Sequence, residues 1–336
     1  MNIELLNSLK KYNVICKFIK FDSDKSNKFN DIVKQLYVIN LKEDVYKRNY
    51  IHLLFSKLQI NYTIIMVDRA DTSVYNSLFP SKNISIGEFG CCLSHMWCLM
   101  HIIKHKFENA IIFEDDVILS KTFISKFIQI YENNNKLDFL MLGAHDFNFS
   151  NHHFRNIKDG LYRPTKFTNL YGAHANFYSF SAAKRMFYIR ATNLSFFDNE
   201  YNLLFNSIPN SFICYPNLVI ANMTESKLNH EKNILSQNEI NYFLNCFINL
   251  NLNNYYLLYH NLLDLSLLKN DDTVETFIEH NLFRFFNTEQ VNIIKQRFVL
   301  DFFTIDDIKH ILSNYDLSQM ITVPNNLSKK CIGEQS

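Results

Sequence analysis

Three consecutive acids, Glu114, Asp115 and Asp116, end the apolar run "NAIIF" and precede another in "VIL". Adjacent carboxylates repel, and the repulsion costs free energy unless a cation, hydrogen bonds or water relieve it. Two arrangements meet that condition. A divalent cation would take the carboxylate oxygens as hard ligands, or the acids would form a loop tip open to solvent. Glu114 and Asp116 are two residues apart, and on an extended strand end such positions point the same way. Taken alone, the triplet favours the solvated tip.

Other suggestive spacings exclude more than they support. His101 and His105 have the i, i+4 spacing of a zinc-protease helix, but Ile102 stands where the general-base glutamate belongs. Gly87 and Gly90 are not followed by Gly-Lys-Ser/Thr, so they make no phosphate-binding P-loop. The seven cysteines, Cys16, Cys91, Cys92, Cys98, Cys214, Cys246 and Cys331, include no CxxC pair. That argues against a zinc ribbon or a dense disulfide framework.

The elements that must hold the acids alternate in type. "KQLYVINLKEDVYKRNYIHLLFSKLQI" predicts a strand, a polar turn and a helix, and "NYTIIMVDRAD" a second strand ending at Asp68. "GEFGCCLSHMWCLMHIIKHKF" predicts a helix leading into the acidic strand. "SKTFISKFIQIYENN" follows as a helix opened by Ser120 or Thr122, and "LDFLMLGAHDF" as a further strand. This order favours an α/β fold with a mostly parallel sheet and ligands at the carboxyl ends of its strands. The acid triplet falls at such an end, and the balance moves to the metal reading.

Residues 1–33 read as an N-terminal extension whose polar stretch "DSDKSNKFND" is a linker, and 34–235 as the α/β domain. Residues 236–336 read as a helical C-terminal region. Three amphipathic helices there open on Asp272 with Glu275, Asn287 with Gln290 and Thr304 with Asp307, and they are a candidate surface for homo-oligomer formation. A formal net charge of +1 on 336 residues excludes a broad nucleic-acid surface. The N-terminus makes a poor signal peptide and no continuous apolar run of 18 residues is apparent, so a soluble, cytoplasmic protein without a transmembrane segment is expected. The wealth of Asn, Lys, Ile, Phe and Tyr reflects A/T-rich codons, as in an AT-rich bacterium, a parasite or a large DNA virus; for a virus, host cytoplasm or virion would be the equivalent location.

"GEFGCCLSH", a helix and then "IIFEDDV" together resemble the signature of glycosyltransferase family 25, which includes lipopolysaccharide and procollagen galactosyltransferases. Further stretches follow in the family's order: "YVINLKEDVYKR", "YGAHANFYSFSAAKRM", "FFDNEYNLLF" and "CYPNLVIANMTESKL". The resemblance covers about residues 35–230 and implies a GT-A-type, Rossmann-like fold. It also implies an inverting, metal-dependent transfer of galactose or glucose from a UDP-sugar to a glycan, glycoprotein or hydroxylysine-type acceptor. The implied cofactor is Mn²⁺ or Mg²⁺, which neutralises and orients the leaving diphosphate.

By the same resemblance Asp116 ligates the metal directly, Glu114 helps directly or through water, and Asp115 touches ribose or donor sugar. His230 is a candidate imidazole ligand; the plainer reading is a solvated histidine. Inversion is a single displacement and needs a general base at the acceptor hydroxyl. Asp198, flanked by aromatics, is the candidate and Asp146 the reserve, while a helix N-cap is the competing role for Asp198. Asn40, Lys42, Arg48, Ser94 and His95 are candidates for binding the nucleotide-sugar, and Asp68 for binding uridine. Ser94 and His95 would open the helix before the acidic strand, where capping is the competing role. Two rivals remain: a transferase fold without turnover that binds glycans or partners, and a metal-dependent phosphoryl-transfer enzyme. UDP-sugar hydrolysis with Mn²⁺ separates the first, and activity on model phosphoesters the second.

Overall fold

Residues 36–41, 62–67 and 109–114 are apolar at nearly every position, the pattern of strands covered on both faces. In the structure, a computed structural model, they form β2 (Leu36–Leu41), β3 (Tyr62–Val67) and β4 (Asn109–Glu114). The described residues are 17–22, 27–78, 85–134, 136–144, 154–164, 172–192 and 201–221, with 276, 288 and 289 beyond them. The expected C-terminal helices, and with them the candidate oligomer surface, lie outside these residues.

The remaining elements are β1 (Lys17–Phe21), α1 (Lys28–Ile32), α2 (Val45–Lys57), α3 (Thr72–Leu78), α4 (Ile86–His105), β5 (Val117–Leu119) and α5 (Phe123–Asn133). They continue with β6 (Phe139–Met141), β7 (Phe154–Lys158), β8 (Leu161–Pro164), β9 (Ala175–Ser179), α6 (Phe180–Thr192), α7 (Tyr201–Ser207), β10 (Ser211–Cys214) and β11 (Val219–Ala221). Nine strands make one sheet in the order β1-β3-β2-β4-β9-β6-β10-β8-β7, and β5 pairs with β11 separately.

The strand period of two sorts the core into two layers. Val38, Ile64, Ile111 and Phe113 pack with Phe29 of α1, Leu54 and Phe55 of α2, and Phe123 and Phe127 of α5. Their neighbours Tyr37, Ile65, Ala110 and Ile112 pack on the opposite face with Trp97 of α4, Met186 of α6 and Tyr201 of α7. The sheet is therefore an α/β sandwich filling, with helices on both faces. α4 is the one described helix long and apolar enough to cross a membrane, with an 18-residue window of mean hydropathy 1.3, and 56% of that window is buried inside the domain. His101, on this helix, is partly buried and structurally engaged: Tyr37 Oη lies 2.7 Å from its Nδ1 and its ring stacks on Trp97. Burial, with His105 and Lys104 nearby, lowers its pKa to about 3.

Three expectations need correction. The sheet is mixed, not mostly parallel: β2–β3, β2–β4 and β6–β10 are parallel, and the other five pairings are antiparallel. A parallel return from β6 needs a helical crossover. The chain carries instead the β7–β8 hairpin, and β9 comes back antiparallel between β4 and β6. Asp159 and Gly160 close that hairpin with φ of 46° and 81°, a two-residue turn that favours Asp-Gly.

Secondly, residues 17–32 belong to the domain. β1 is the sheet's edge strand on β3. Asn27 caps α1 by accepting from Asn30 N at 2.9 Å, and Phe29 is buried against the rings of Phe123 and Phe127. Thirdly, α4 starts well before Ser94. Ser85 and Glu88 form a capping box, with Ser85 Oγ accepting from Glu88 N at 3.2 Å and Ser85 N donating to Glu88 Oε2 at 2.5 Å.

Candidate active site at the acidic turn

Glu114 is the last residue of β4, and Asp115 and Asp116 form the turn into β5. The three acids therefore leave an extended strand after the first of them, and each meets a different environment. The turn is held from behind by the β5–β11 ladder, in which Val117 pairs with Ala221 and Leu119 with Val219. The segment after β6 closes against β11 so tightly that a Cβ on Gly143 would lie 1.8 Å from Val219 O. Asn217 clamps the same segment, donating to Ala144 O at 3.0 Å and accepting from Ala144 N at 3.3 Å.

Glu114 turns toward α4. Its Oε1 lies 3.0 Å from His95 Nε2, and the Cys91 thiol donates to the same oxygen at 3.4 Å. Burial would raise this carboxyl, but the hydrogen bond and charge of His95, with His174 and Cys91 adding to them, hold it below the usual carboxylate range. The Glu114 side chain keeps 28% of its surface exposed, whereas His95 is fully buried.

Asp115 turns the other way, into the junction of β2 and α2. Its Oδ2 accepts from Asn40 Nδ2 at 2.7 Å, and Lys47 Nζ lies 3.3 Å from its Oδ1. Asn40 also donates to Asp44 O at 3.1 Å and accepts from Arg48 Nη1 at 2.5 Å. Arg48 Nη1 reaches the Lys42 carbonyl at 3.2 Å, so the guanidinium braces the turn after β2. Burial raises the Asp115 pKa, and Lys47 and the Asn40 amide oppose it. For Lys47, burial works against the charge but Asp115, Asp116 and Asp44 outweigh it, and the ammonium is held more firmly than in water.

Asp116 is the acid left unsatisfied. Its Oδ1 is buried with no hydrogen-bond partner among the described residues. Burial pushes its pKa well above the usual carboxylate range, Lys47 opposes, and Glu114 and Asp115 add to the rise. Leaving a buried acceptor unmade costs about 1–3 kcal/mol, more when it is charged. A hard divalent cation removes both penalties, so this donor set fits one.

The other expected site residues divide clearly. Asn40, Arg48 and Asp115 meet in one network, and His95 meets Glu114. Lys42 and Asp68 come together at the carboxyl ends of β2 and β3, with Nζ and Oδ1 3.6 Å apart, Lys42 exposed and Asp68 partly so. Ser94 is buried inside α4 and its hydroxyl donates to Gly90 O at 2.8 Å. Asp146, Asp198 and His230 lie outside the described residues. Sequence reading passed over Lys47, Cys91 and His174. Lys47 was legible as a cation one helical turn beyond the polar turn after β2; Cys91 as the partner of His95 at i, i+4. His174 lies off any local pattern, since only the antiparallel entry of β9 brings it beside Glu114, whose backbone N–H donates to His174 O at 2.9 Å.

A family model described as glycosyltransferase family 25 (LPS biosynthesis protein) matches residues 33–184. The match runs from the residues before β2 into α6 and contains the acidic turn with Asn40, Lys47, Arg48, Cys91, His95 and His174. No curated protein matches the chain.

Proposed function

From the match of residues 33–184 to the glycosyltransferase family 25 model, we propose that the protein is a metal-dependent, inverting hexosyltransferase of GT-A type. The donor is a UDP-hexose carrying galactose or glucose. The acceptor is a hydroxyl of a glycan or of a hydroxylysine-type residue. What carries the reading is the buried, unpartnered Oδ1 of Asp116 in a turn at the carboxyl end of β4, where open α/β sheets bind ligands.

Asp116 would hold a Mn²⁺ or Mg²⁺ ion directly, with Glu114 assisting and His230 a further candidate ligand. When bound, the ion supplies positive charge to the departing diphosphate. Lys47 keeps Asp115 ionised and fixed, so that Asp115 can accept hydrogen bonds from ribose or donor-sugar hydroxyls. Asn40 and Arg48 hold the β2–α2 turn in shape beside it. Lys42 and Asp68, at adjacent strand ends, are placed to meet the nucleotide. In the displacement the acceptor oxygen bonds to the anomeric carbon as the bond from that carbon to the diphosphate oxygen breaks. The acceptor's proton passes to a general base, for which Asp198 is the candidate and Asp146 the reserve.

The deciding experiment is a screen of UDP-sugars for Mn²⁺-dependent UDP release, with and without glycan and hydroxylysine-peptide acceptors. Release that depends on the metal and rises with one acceptor class supports the proposal. Glycan binding without UDP release under any condition would instead identify a transferase fold that has lost turnover.

A further inference from the structure

Cys91 and His95 are one turn apart on α4 and so share a face of the helix. The end of β4 sets Glu114 against that face. Cys91 Sγ is 3.4 Å and His95 Nε2 3.0 Å from Glu114 Oε1, and the three donor atoms all lie within 4.8 Å of one another. A tetrahedral zinc ion has bonds of about 2.0–2.3 Å, which places neighbouring ligand atoms about 3.3–3.8 Å apart. The two contacts to Glu114 are already close to such edges, and the third separation, Cys91 to His95, is within 4.8 Å. Thiolate and imidazole select zinc over magnesium and manganese. The trio thus differs in kind from the carboxylate of Asp116, which offers only oxygen.

We propose that Cys91, His95 and Glu114 form a Zn²⁺ site, and that its occupation restrains transfer by withdrawing Glu114 from the donor's cation. Zinc binding follows from the side-chain geometry alone; only the restraint rests on the transferase reading. Binding converts the Cys91 thiol to a thiolate, and its proton leaves to solvent. His95 ligates as the neutral imidazole through Nε2, so the Nε2 proton that faces Glu114 in the metal-free site also leaves and the remaining ring proton sits on Nδ1, while ionised Glu114 gives one oxygen. Water takes the fourth position. Cys91 and Glu114 are only partly buried, which leaves the ion a way in.

The test uses the full chain, reduced and stripped of metal. Iodoacetamide labelling of Cys91, mapped by mass spectrometry, should slow at least about tenfold with one equivalent of Zn²⁺ and stay unchanged with Mg²⁺. With Co²⁺ as a spectroscopic substitute, thiolate charge-transfer absorption should appear and vanish in Cys91→Ser. That variant should bind Zn²⁺ more than about tenfold more weakly, since even outer-shell losses cost 10- to 100-fold. Asp116→Asn should bind Zn²⁺ like the wild type, which separates this site from the donor's cation. Labelling indifferent to Zn²⁺, or Zn²⁺ affinity unaltered by Cys91→Ser, overturns the proposal. Because the labelling uses the wild-type protein, a misfolded variant does not rescue it. Zinc binding without any slowing of UDP release would retain the site and remove the restraint.

Discussion

Lys47 Nζ sits 3.3 Å from Asp115 Oδ1, with both side chains close to fully buried at 9% and 12% exposure. This pair ties the first turn of α2 to the acidic turn after β4, elements that are 68 residues apart in the chain. A buried pair of this kind is weak evidence for stability, because desolvation offsets most of the attraction. Its breaking is another matter. A buried charge that loses its ion partner is left uncompensated.

Lys47→Met should therefore destabilise the protein by about 3–5 kcal/mol in urea unfolding, the range for removing one partner of a buried pair. The double variant Lys47→Met with Asp115→Leu should recover part of that loss, since the two residues touch and their effects are not additive. Additive losses would show that the pair is not coupled, and Asp115 would then depend chiefly on Asn40.

Asp116 gives a pH dependence whose sign can be worked out. Its folded-state pKa is raised to about 7, from an ordinary value of about 4. Between those values the folded state keeps a proton that the unfolded chain has lost. The contribution is fully present below the ordinary value and is lost as pH rises through the raised one. Metal-free wild type should thus lose stability relative to Asp116→Asn as pH rises from about 4 to 7. Buried His174, whose pKa is lowered by burial, works in the opposite direction in both proteins and cancels in the difference. Saturating Mn²⁺ should flatten the difference by favouring the ionised carboxylate. Parallel stability curves for the two proteins would mean that Asp116 ionises normally and is solvated.

How much of this was legible beforehand depended on the range of the interactions. The continuous apolar runs of β2, β3 and β4 announced buried strands, and the acid cluster announced itself by its cost. Asn40 lies in β2 and Arg48 in α2, but the partner of Asn40, Asp115, is 75 residues away, and local pattern carries no such contact. Ser94 misled because Ser is a good cap; Ser85 with Glu88 is the actual one. The β7–β8 hairpin did have a local signal, Asp159-Gly160, in a stretch too polar to read as sheet. Phe29 was hidden in a polar sequence, since one aromatic in "SNKFND" looks like linker until Phe123 and Phe127 arrive from 94 and 98 residues away.

Asp116→Asn should leave the fold intact, since the amide keeps the size of the carboxyl and removes a buried charge. It should abolish Mn²⁺-dependent UDP binding and, with it, transfer. Calorimetric titration of UDP with and without Mn²⁺ checks this against circular dichroism of the same sample. Wild-type metal-dependent UDP binding by the folded variant would remove Asp116 from the cation site and leave Glu114 to be tested in its place.

Asp198→Asn separates base from metal ligand. If Asp198 takes the acceptor's proton, its loss removes general-base catalysis, typically worth roughly 10²- to 10⁴-fold in rate. Donor and metal affinities should stay near wild type, because a base facing the acceptor makes no contact with the diphosphate. Asp116→Asn should instead damage donor binding together with rate. Comparing UDP affinity and transfer rate for both variants distinguishes the two roles, since only a metal ligand couples them. Transfer at the wild-type rate by Asp198→Asn would reduce that residue to a helix cap and pass the base role to Asp146.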